Sequence, residues 1–506
     1  VAFFYLAQFL GLDSNDIQSL SLIEIKKVLE VLDRFPSDQH GPIWLHALEL
    51  SFRNSLLKKL SETSPDPTLK TKRLHRAQAV FCIDARSEYL RRHLEKTGPY
   101  ETFGFAGFFG VPICYRPYGS DTDLLLCPAL FKPNKKVFEI PRAEYEQEIQ
   151  RNETGFKWHH SGHGFFHDLK ANNFSAYFLI DLLGGLFGLT FLAKTFFPAP
   201  YQKFREKLNK RLVPNVPTQL LLDKPKEATY SKEEGFGFTL DEQVTLLENG
   251  LRLMGLTKNF SPIVFLCAHG STTENNPYAA AYDCGACGGN HGGPNARALA
   301  TIGNHPEVRK GLMSRGIEIP STTLFIAGEH NTTTDQVIFL DPETIPSSHH
   351  DDVFHLQKDL SQAGKFAAFE RLKKLPGAPQ STSIEKASHH AIHRSGDWAQ
   401  VRPEWGLSSN GAFIIGRRHL TKGISLEGRV FMHSYDPEQD ETGKALETIM
   451  TAPLLVVQWI SMEYYFSSTD PFVYGSASKV YHNVVSGIGV IVGRQSDLRP
   501  GLPFSR

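Results

Sequence analysis

Apolar and polar positions alternate along this chain with two different periods. Through the first 75 residues the apolar side chains recur at helical spacing, most clearly in SLIEIKKVLEVLDRF, which predicts amphipathic helices. Ser61–Pro67 (SETSPDP) is turn-rich and reads as a loop before the next unit. Short apolar runs follow at Ala79–Ile83, Phe103–Phe109, Ile263–Ala268, Thr323–Ala327 and Ala412–Ile415, each bounded by Gly, Pro or polar residues, with helical stretches between several of them. Runs of that length that do not alternate are strands buried on both faces. The pattern therefore predicts an α/β fold, a mostly parallel sheet flanked by helices. No internal repeat of fixed period is visible.

The chain divides by this pattern into an N-terminal helical region (1–75), a first part of the sheet core (76–134), a helical insertion (135–245) and a second part of the core (246–345). A His- and Lys-rich helix and loop region (346–400) comes next, then a C-terminal part (401–506) that completes the core and offers a partner surface. One segment inside the insertion calls for a membrane test. Residues 174–197 read FSAYFLIDLLGGLFGLTFLAKTFF, with Asp181 and Lys194 inside. A central Asp opposes a spanning helix by a few kcal/mol. A buried, Gly-broken core helix is the expected form, with a surface that docks on a membrane partner and a true span as the alternatives. The aromatic stretch Trp459–Phe466 is a second candidate docking surface.

Composition narrows the function. Lys+Arg and Asp+Glu both number 54, so there is no basic excess to neutralise phosphates, and nucleic acid is not an expected partner. The chain opens at Val1 with no charged n-region and apolar h-region, so no signal peptide is expected and the chain reads as cut from something longer. The N-x-[ST] sequons at Asn152, Asn173, Asn259 and Asn331 carry no weight in that setting. Six cysteines, 82, 114, 127, 267, 284 and 287, are too few and too unevenly spaced for a disulfide framework and fit a reducing compartment.

Two of those cysteines lie where chemistry is expected. FCIDARSE (81–88) ends a buried strand in Cys82, with Asp84 two residues on. In extended chain, positions i and i+2 face the same side, so both can reach one ion, and Arg86 at the same spacing can pair with the Asp84 carboxylate. FLCAHGSTTENNPYAAAYDCGACGGNHGG (265–293) ends a second strand in His269, and Cys284 follows after 14 intervening residues. Thiolate, imidazole and carboxylate in a tetrahedral set suit Zn²⁺. Each residue alone has a bland reading: Cys82 as core filling, His269 as a hydrogen-bonded core histidine. Their joint position at strand ends favours the metal. Weaker candidates are Cys287 in CGAC (a turn cysteine, a redox partner or a spare ligand) and the four histidines of WHHSGHGFFH (158–167) as a second metal site. Proton-shuttle candidates are His291, His305, His330, His349 and His350; FGFAGFFG (103–110) is either core strand or the lining of an apolar pocket, and Glu329–Asn331 a strand end that is a candidate to face the site. No G-x-S-x-G elbow supports a serine hydrolase.

C-x-D-x-R followed by a strand-end His and a later Cys-Gly resembles the β-carbonic anhydrase ligand set. CIDARSE, TFGFAGFFG, the CAHGSTTENNPYAAAYDCGACGG block and the terminal YGSASKVYHNVV are similar, from about residue 75 to the end, to the DabA family of carbonic-anhydrase-like subunits of inorganic carbon transporters. The gap between His269 and Cys284 departs from the short His-x-x-Cys of ordinary β-carbonic anhydrases. The resemblance implies a β-carbonic anhydrase-like core binding Zn²⁺ through Cys82, His269 and Cys284, with Asp84 a displaceable fourth ligand held by Arg86 as a dyad. It further implies CO₂ hydration to bicarbonate, driven by an ion gradient through a proton- or cation-conducting, DabB-like membrane subunit. The chain would then sit peripherally at the cytoplasmic face of the inner membrane, with little activity alone. A freestanding zinc hydratase or hydrolase and a structural zinc scaffold are the alternatives.

Overall fold

The computed structural model describes residues 10–12, 14–34, 37–62, 75–172, 174–224, 235–276, 279–400, 402–407 and 409–469, isolated positions at 3, 6 and 7, and two short strands at 484–485 and 489–490. The loop expected over 61–67 and the terminal YGSASKVYHNVV motif lie largely outside those residues. The chain divides into two compact units, Val1–Ser64 and Pro65–Arg506. The first holds helices α1 (Ser14–Ser19), α2 (Leu22–Asp33) and α3 (Ser37–Ser61).

The second unit is built on a five-stranded sheet of order β2-β1-β7-β8-β9. Strands β1 (Ala77–Cys82), β2 (Tyr100–Phe105), β7 (Ile263–Gly270) and β8 (Leu324–Asn331) are parallel, and β9 (Gln336–Phe339) is an antiparallel edge. Every residue of β1 and β7 is buried, as expected of central strands covered on both faces. On one face Ala79, Phe81, Phe265 and Cys267 pack with Leu90 and Leu94 of α4 (Ser87–Thr97) and with a late helix over His350–Leu372. On the other, Val80, Val264 and Leu266 pack with helices that follow β6 and β7 in the chain.

Between β2 and β7 the chain adds a second, four-stranded sheet of order β4-β3-β5-β6, with β3 (Ile113–Arg116), β4 (Leu124–Leu126), β5 (Lys136–Pro141) and β6 (Thr218–Leu221). Three helices, α5 (Glu146–Ala171), α6 (Ser175–Phe196) and α7 (Pro198–Leu212), leave this sheet after β5 and return at β6. Residues 135–245 thus carry strands β5 and β6 as well as helices. Helix α8 (Leu240–Met254) starts at a capping box between Thr239 and Glu242 and stops at Gly255, where φ is 75°. Its buried Leu247 and Leu251 each stabilise the sheet contact by about 1.5–3 kcal/mol.

After β7 come α9 (Ala279–Tyr282), α10 (Gly293–Asn304) and α11 (Pro306–Ser314); the last two cover the same face as α8. After β9 the helix over His350–Leu372 is α12, followed by α13 (Ile384–Gly396), the parallel pair β10 (Ala412–Gly416) and β11 (Val430–Ser434), then α14 (Lys444–Thr451) and α15 (Pro453–Thr469).

Three expectations are corrected. The run Phe103–Phe109 is strand only to Phe105; residues 106–109 turn, and Phe109 has a φ of 51°. The run Ala412–Ile415 forms a separate two-stranded sheet with β11 rather than a strand of the main sheet. The apolar segment 174–197 is not a Gly-broken core helix: α6 is continuous and none of its residues is buried. Apolarity alone does not distinguish a helix facing protein from one facing another apolar medium.

Candidate metal centre

The chain winds away from β1 in one direction, to β2, and from β7 in the other, to β8. Neighbouring strands that part in this way leave a crevice at their C-terminal ends, the usual ligand site of an open α/β sheet. Cys82 ends β1 and His269 lies one residue from the end of β7, so both border that crevice. Cys284 is brought back to it by a turn, in which its N–H donates to the Asn290 carbonyl (3.1 Å) and its carbonyl accepts from Gly289 N–H (3.0 Å). Gly288 and Gly289, at φ 67° and 77°, permit that turn.

The ligand atoms of Cys82, His269 and Cys284 all lie within 4.8 Å of one another, and all three residues are buried. It is the one such His/Cys/Asp/Glu group among the described residues. Two further observations fit a metal. Neither ring nitrogen of His269 has a hydrogen-bond partner, an arrangement a buried imidazole rarely tolerates without a ligand. A Cβ on Gly107 would stand 2.6 Å from Cys284 Sγ and 2.9 Å from Cys82 Sγ, so backbone closes over the sulfurs where a side chain would fill the site. Both thiols are raised well above the ordinary range, Cys82 by the Cys284 thiol beside it and then by burial, Cys284 by its contact with Cys287 and by burial, which by itself opposes the thiolate form. Such thiols become ligands when a cation replaces their protons.

Asp84 adjoins this triplet but is held by Arg86. Arg86 Nε and N–H donate to Asp84 Oδ1 (3.0 and 2.8 Å) and Nη2 donates to Oδ2 (2.8 Å). Asp84 Oδ2 is 3.6 Å from His269 Nε2, beyond hydrogen-bond range. Burial opposes ionisation of Asp84, but the Arg86 guanidinium outweighs it and keeps the carboxyl well below the usual carboxylate range. Arg86 is gripped from its other side: Nη1 donates to Glu404 Oε1 (2.9 Å) and to Thr332 Oγ1 (3.1 Å), and the Thr332 hydroxyl donates to the same Glu404 oxygen (2.8 Å). Glu404 and Thr332 were not legible as site residues, because no motif marks them and they lie far from Arg86 in the chain. Gly107 was legible only as part of the FGFAGFFG run.

The other candidates fall around the site or away from it. Cys287 is buried beside Cys284 but outside the triplet. His291 Nδ1 lies 2.8 Å from Glu329 Oε1, and that bond, outweighing the opposing burial, raises its pKa to about 9, so it is a fixed cation at neutral pH. His330 is buried against Asp335 (3.2 Å), His305 caps α11 by accepting from Glu307 N–H, and His349 and His350 contact backbone carbonyls. The histidines of 158–167 lie along α5, which buries none of its residues. The aromatic stretch 459–466 lies on α15. Val457, Ile460 and Tyr464 of that helix pack on the cluster holding Cys82, Cys284 and Cys287, whereas Leu455, Trp459, Met462 and Tyr465 are exposed.

Comparison with known proteins adds a family. The family described as "Probable inorganic carbon transporter subunit DabA" matches residues 5–505. Proteins of that same description share 40% identity over 96% of this chain in Aquifex aeolicus, 42% over 91% in Salinibacter ruber and 44% over 90% in Legionella pneumophila strain Lens. The matches cover 54%, 57% and 58% of those relatives, so the chain spans little more than half their length. No solved structure matches.

Proposed function

The chain belongs to the DabA family, and from that premise we propose that it is the zinc-binding, β-carbonic anhydrase-like part of a membrane-associated inorganic carbon uptake complex. Its reaction is hydration of CO₂ to bicarbonate with release of one proton. The observation that carries this reading is the buried Cys82–His269–Cys284 triplet with the Asp84 carboxylate held beside it by Arg86. Zinc in such a set supplies a Lewis acid that makes water nucleophilic near neutral pH.

The residues of the chain set the conditions for that chemistry. Arg86 holds both Asp84 oxygens and would thereby keep the carboxylate from a metal held by Cys82, His269 and Cys284. Glu404 and Thr332 fix Arg86 in turn, and a change in that grip is the means by which Asp84 would be released to silence the site. Cys82, Asp84, Arg86, His269 and Cys284 are each no more than 5% exposed, so bulk water and CO₂ reach them only through a change of conformation. In this reading that change is supplied by a proton- or cation-conducting, DabB-like membrane subunit, and removal of the released proton pulls hydration forward. The exposed side of α15 lies directly behind the site and is one surface for such a partner.

The same burial favours a second reading, a structural zinc site that scaffolds the fold. The first test is zinc per chain in wild type and in Cys82→Ala, His269→Ala and Cys284→Ala. About one zinc, lost in each variant, is the expected result; a zinc-free wild type, or variants that retain it, overturns the ligand assignment. Carbon uptake by Asp84→Asn and Arg86→Ala in the complex then separates the two readings. Uptake lost with zinc retained supports hydration, and uptake unchanged leaves the scaffold.

A further inference from the structure

We propose that the arm formed by α6 and α7 is a lipid-binding element that seats this chain directly on an anionic membrane surface, without need of a protein partner. Helix α6 is apolar on all sides and buries none of its 22 residues; Tyr177, Phe178, Leu182, Leu189 and Phe196 are all at least 66% exposed. A groove on a protein accepts one apolar stripe of a helix. A helix apolar all round matches a medium that is itself apolar.

Helix α7 supplies the charge that a lipid surface would recognise. Phe204, Leu208 and Leu212 recur every four residues and are exposed. Lys203, Lys207, Lys210 and Arg211 are exposed among them, with Glu206 the single acidic residue of the helix. Apolar side chains interleaved with basic ones are the composition of a helix lying in the interfacial layer, its cations among anionic headgroups. Asp181, at the middle of α6, limits how deep the helix sits: crossing the bilayer would strip its carboxylate of water, whereas a helix at the level of the headgroups leaves it hydrated.

The arm is tied to the sheet near the metal centre. Lys194 at the end of α6 (2.9 Å) and Arg205 of α7 (3.0 and 3.1 Å) both hold Glu274, five residues after His269. The Phe191 ring packs on Trp398 with centroids 5.9 Å apart. Seating the arm on a bilayer would therefore place the loop that leaves β7 towards the membrane. This inference does not rest on the carbon chemistry and can fail or stand without it.

The test is sedimentation of the full purified chain, with no membrane subunit, on vesicles of phosphatidylcholine alone or mixed with phosphatidylglycerol. Preferential binding to the phosphatidylglycerol vesicles, weakened by salt, is expected. The triple variant Lys203→Glu, Lys207→Glu, Lys210→Glu should lose roughly a hundredfold or more in binding, since each basic residue contributes about fivefold at such a surface. Phe178→Ser with Leu182→Ser should reduce binding to both vesicle types. An unchanged circular dichroism spectrum and metal content show that the variants remain folded. No binding to either vesicle overturns the proposal, as does binding that these variants leave intact. Binding that appears only when the vesicles carry the membrane subunit also overturns it, and makes the arm a protein-docking surface.

Discussion

At the C-terminal ends of β1 and β7, ionisable side chains lie inside the protein; along α6, Phe and Leu side chains lie outside it. Both regions depart from the ordinary distribution of side chains, in opposite directions, and such departures are more informative than ordinary cores and surfaces. Inside, Asp84, Arg86, Glu404 and Thr332 form a network in which one guanidinium serves both carboxylates. Removing Arg86 leaves both carboxylates buried and uncompensated. Outside, no residue of α6 is buried, so apart from Lys194 and Phe191, which tie the helix to Glu274 and Trp398, its side chains should matter little to folding. The inner region is thus constrained by its own chemistry, and the outer one by something the chain meets.

If that contrast is right, stability should respond to the inner region far more than to the outer. Arg86→Ala strands two buried carboxylates and is expected to destabilise by about 3–5 kcal/mol, measured as a shift in urea midpoint at unchanged m-value. His433 on β11 gives a pH form of the same effect. Burial holds it at about 4, below the ordinary 6.5. The unfolded chain therefore binds more protons than the folded one between those values. Stability should fall as pH drops from about 6.5 and level off below about 4, by up to a few kcal/mol. His433→Gln should remove that component from the pH dependence of the melting temperature. Gly107→Ala would press a methyl group onto both sulfurs and is expected to destabilise by about 1–3 kcal/mol and to lower zinc per chain. Leu182→Gln, in contrast, should leave the urea midpoint within about 0.5 kcal/mol of wild type. A loss comparable to Arg86→Ala would mean that α6 is packed after all.

How far the sequence reveals each region follows from how locally each is encoded. Cys82, Asp84 and Arg86 share one strand end, and i, i+2 spacing suffices to group them. His269 ends another buried run, and the turn glycines beside Cys284 mark its return. Strands β1, β7 and β8 are legible for a related reason, since strands covered on both faces are written as apolar runs, whereas β2 (YETFGF) is marked only at its end. Glu404 is written nowhere near Arg86 and becomes a site residue only when the chain folds back past Thr332. Strands β3 to β6 are short and half-exposed, which leaves them little pattern. Helix α6 is legible as a helix but not as an exposed one, because a core and a bilayer select the same side chains.

The pairing of β1 with β7 has a consequence for the life of the chain on the ribosome. Ala77 pairs with Ile263, so the arm and the whole second sheet are synthesised between the two halves of the candidate metal centre. At ordinary translation rates the interval is on the order of tens of seconds, during which Cys82 and Asp84 exist without His269 and Cys284. Closing so long a loop gains nothing until β7 has emerged and docked. A chain that has taken up its metal through all three donors is therefore one whose synthesis has passed Cys284 and whose central strands are already joined.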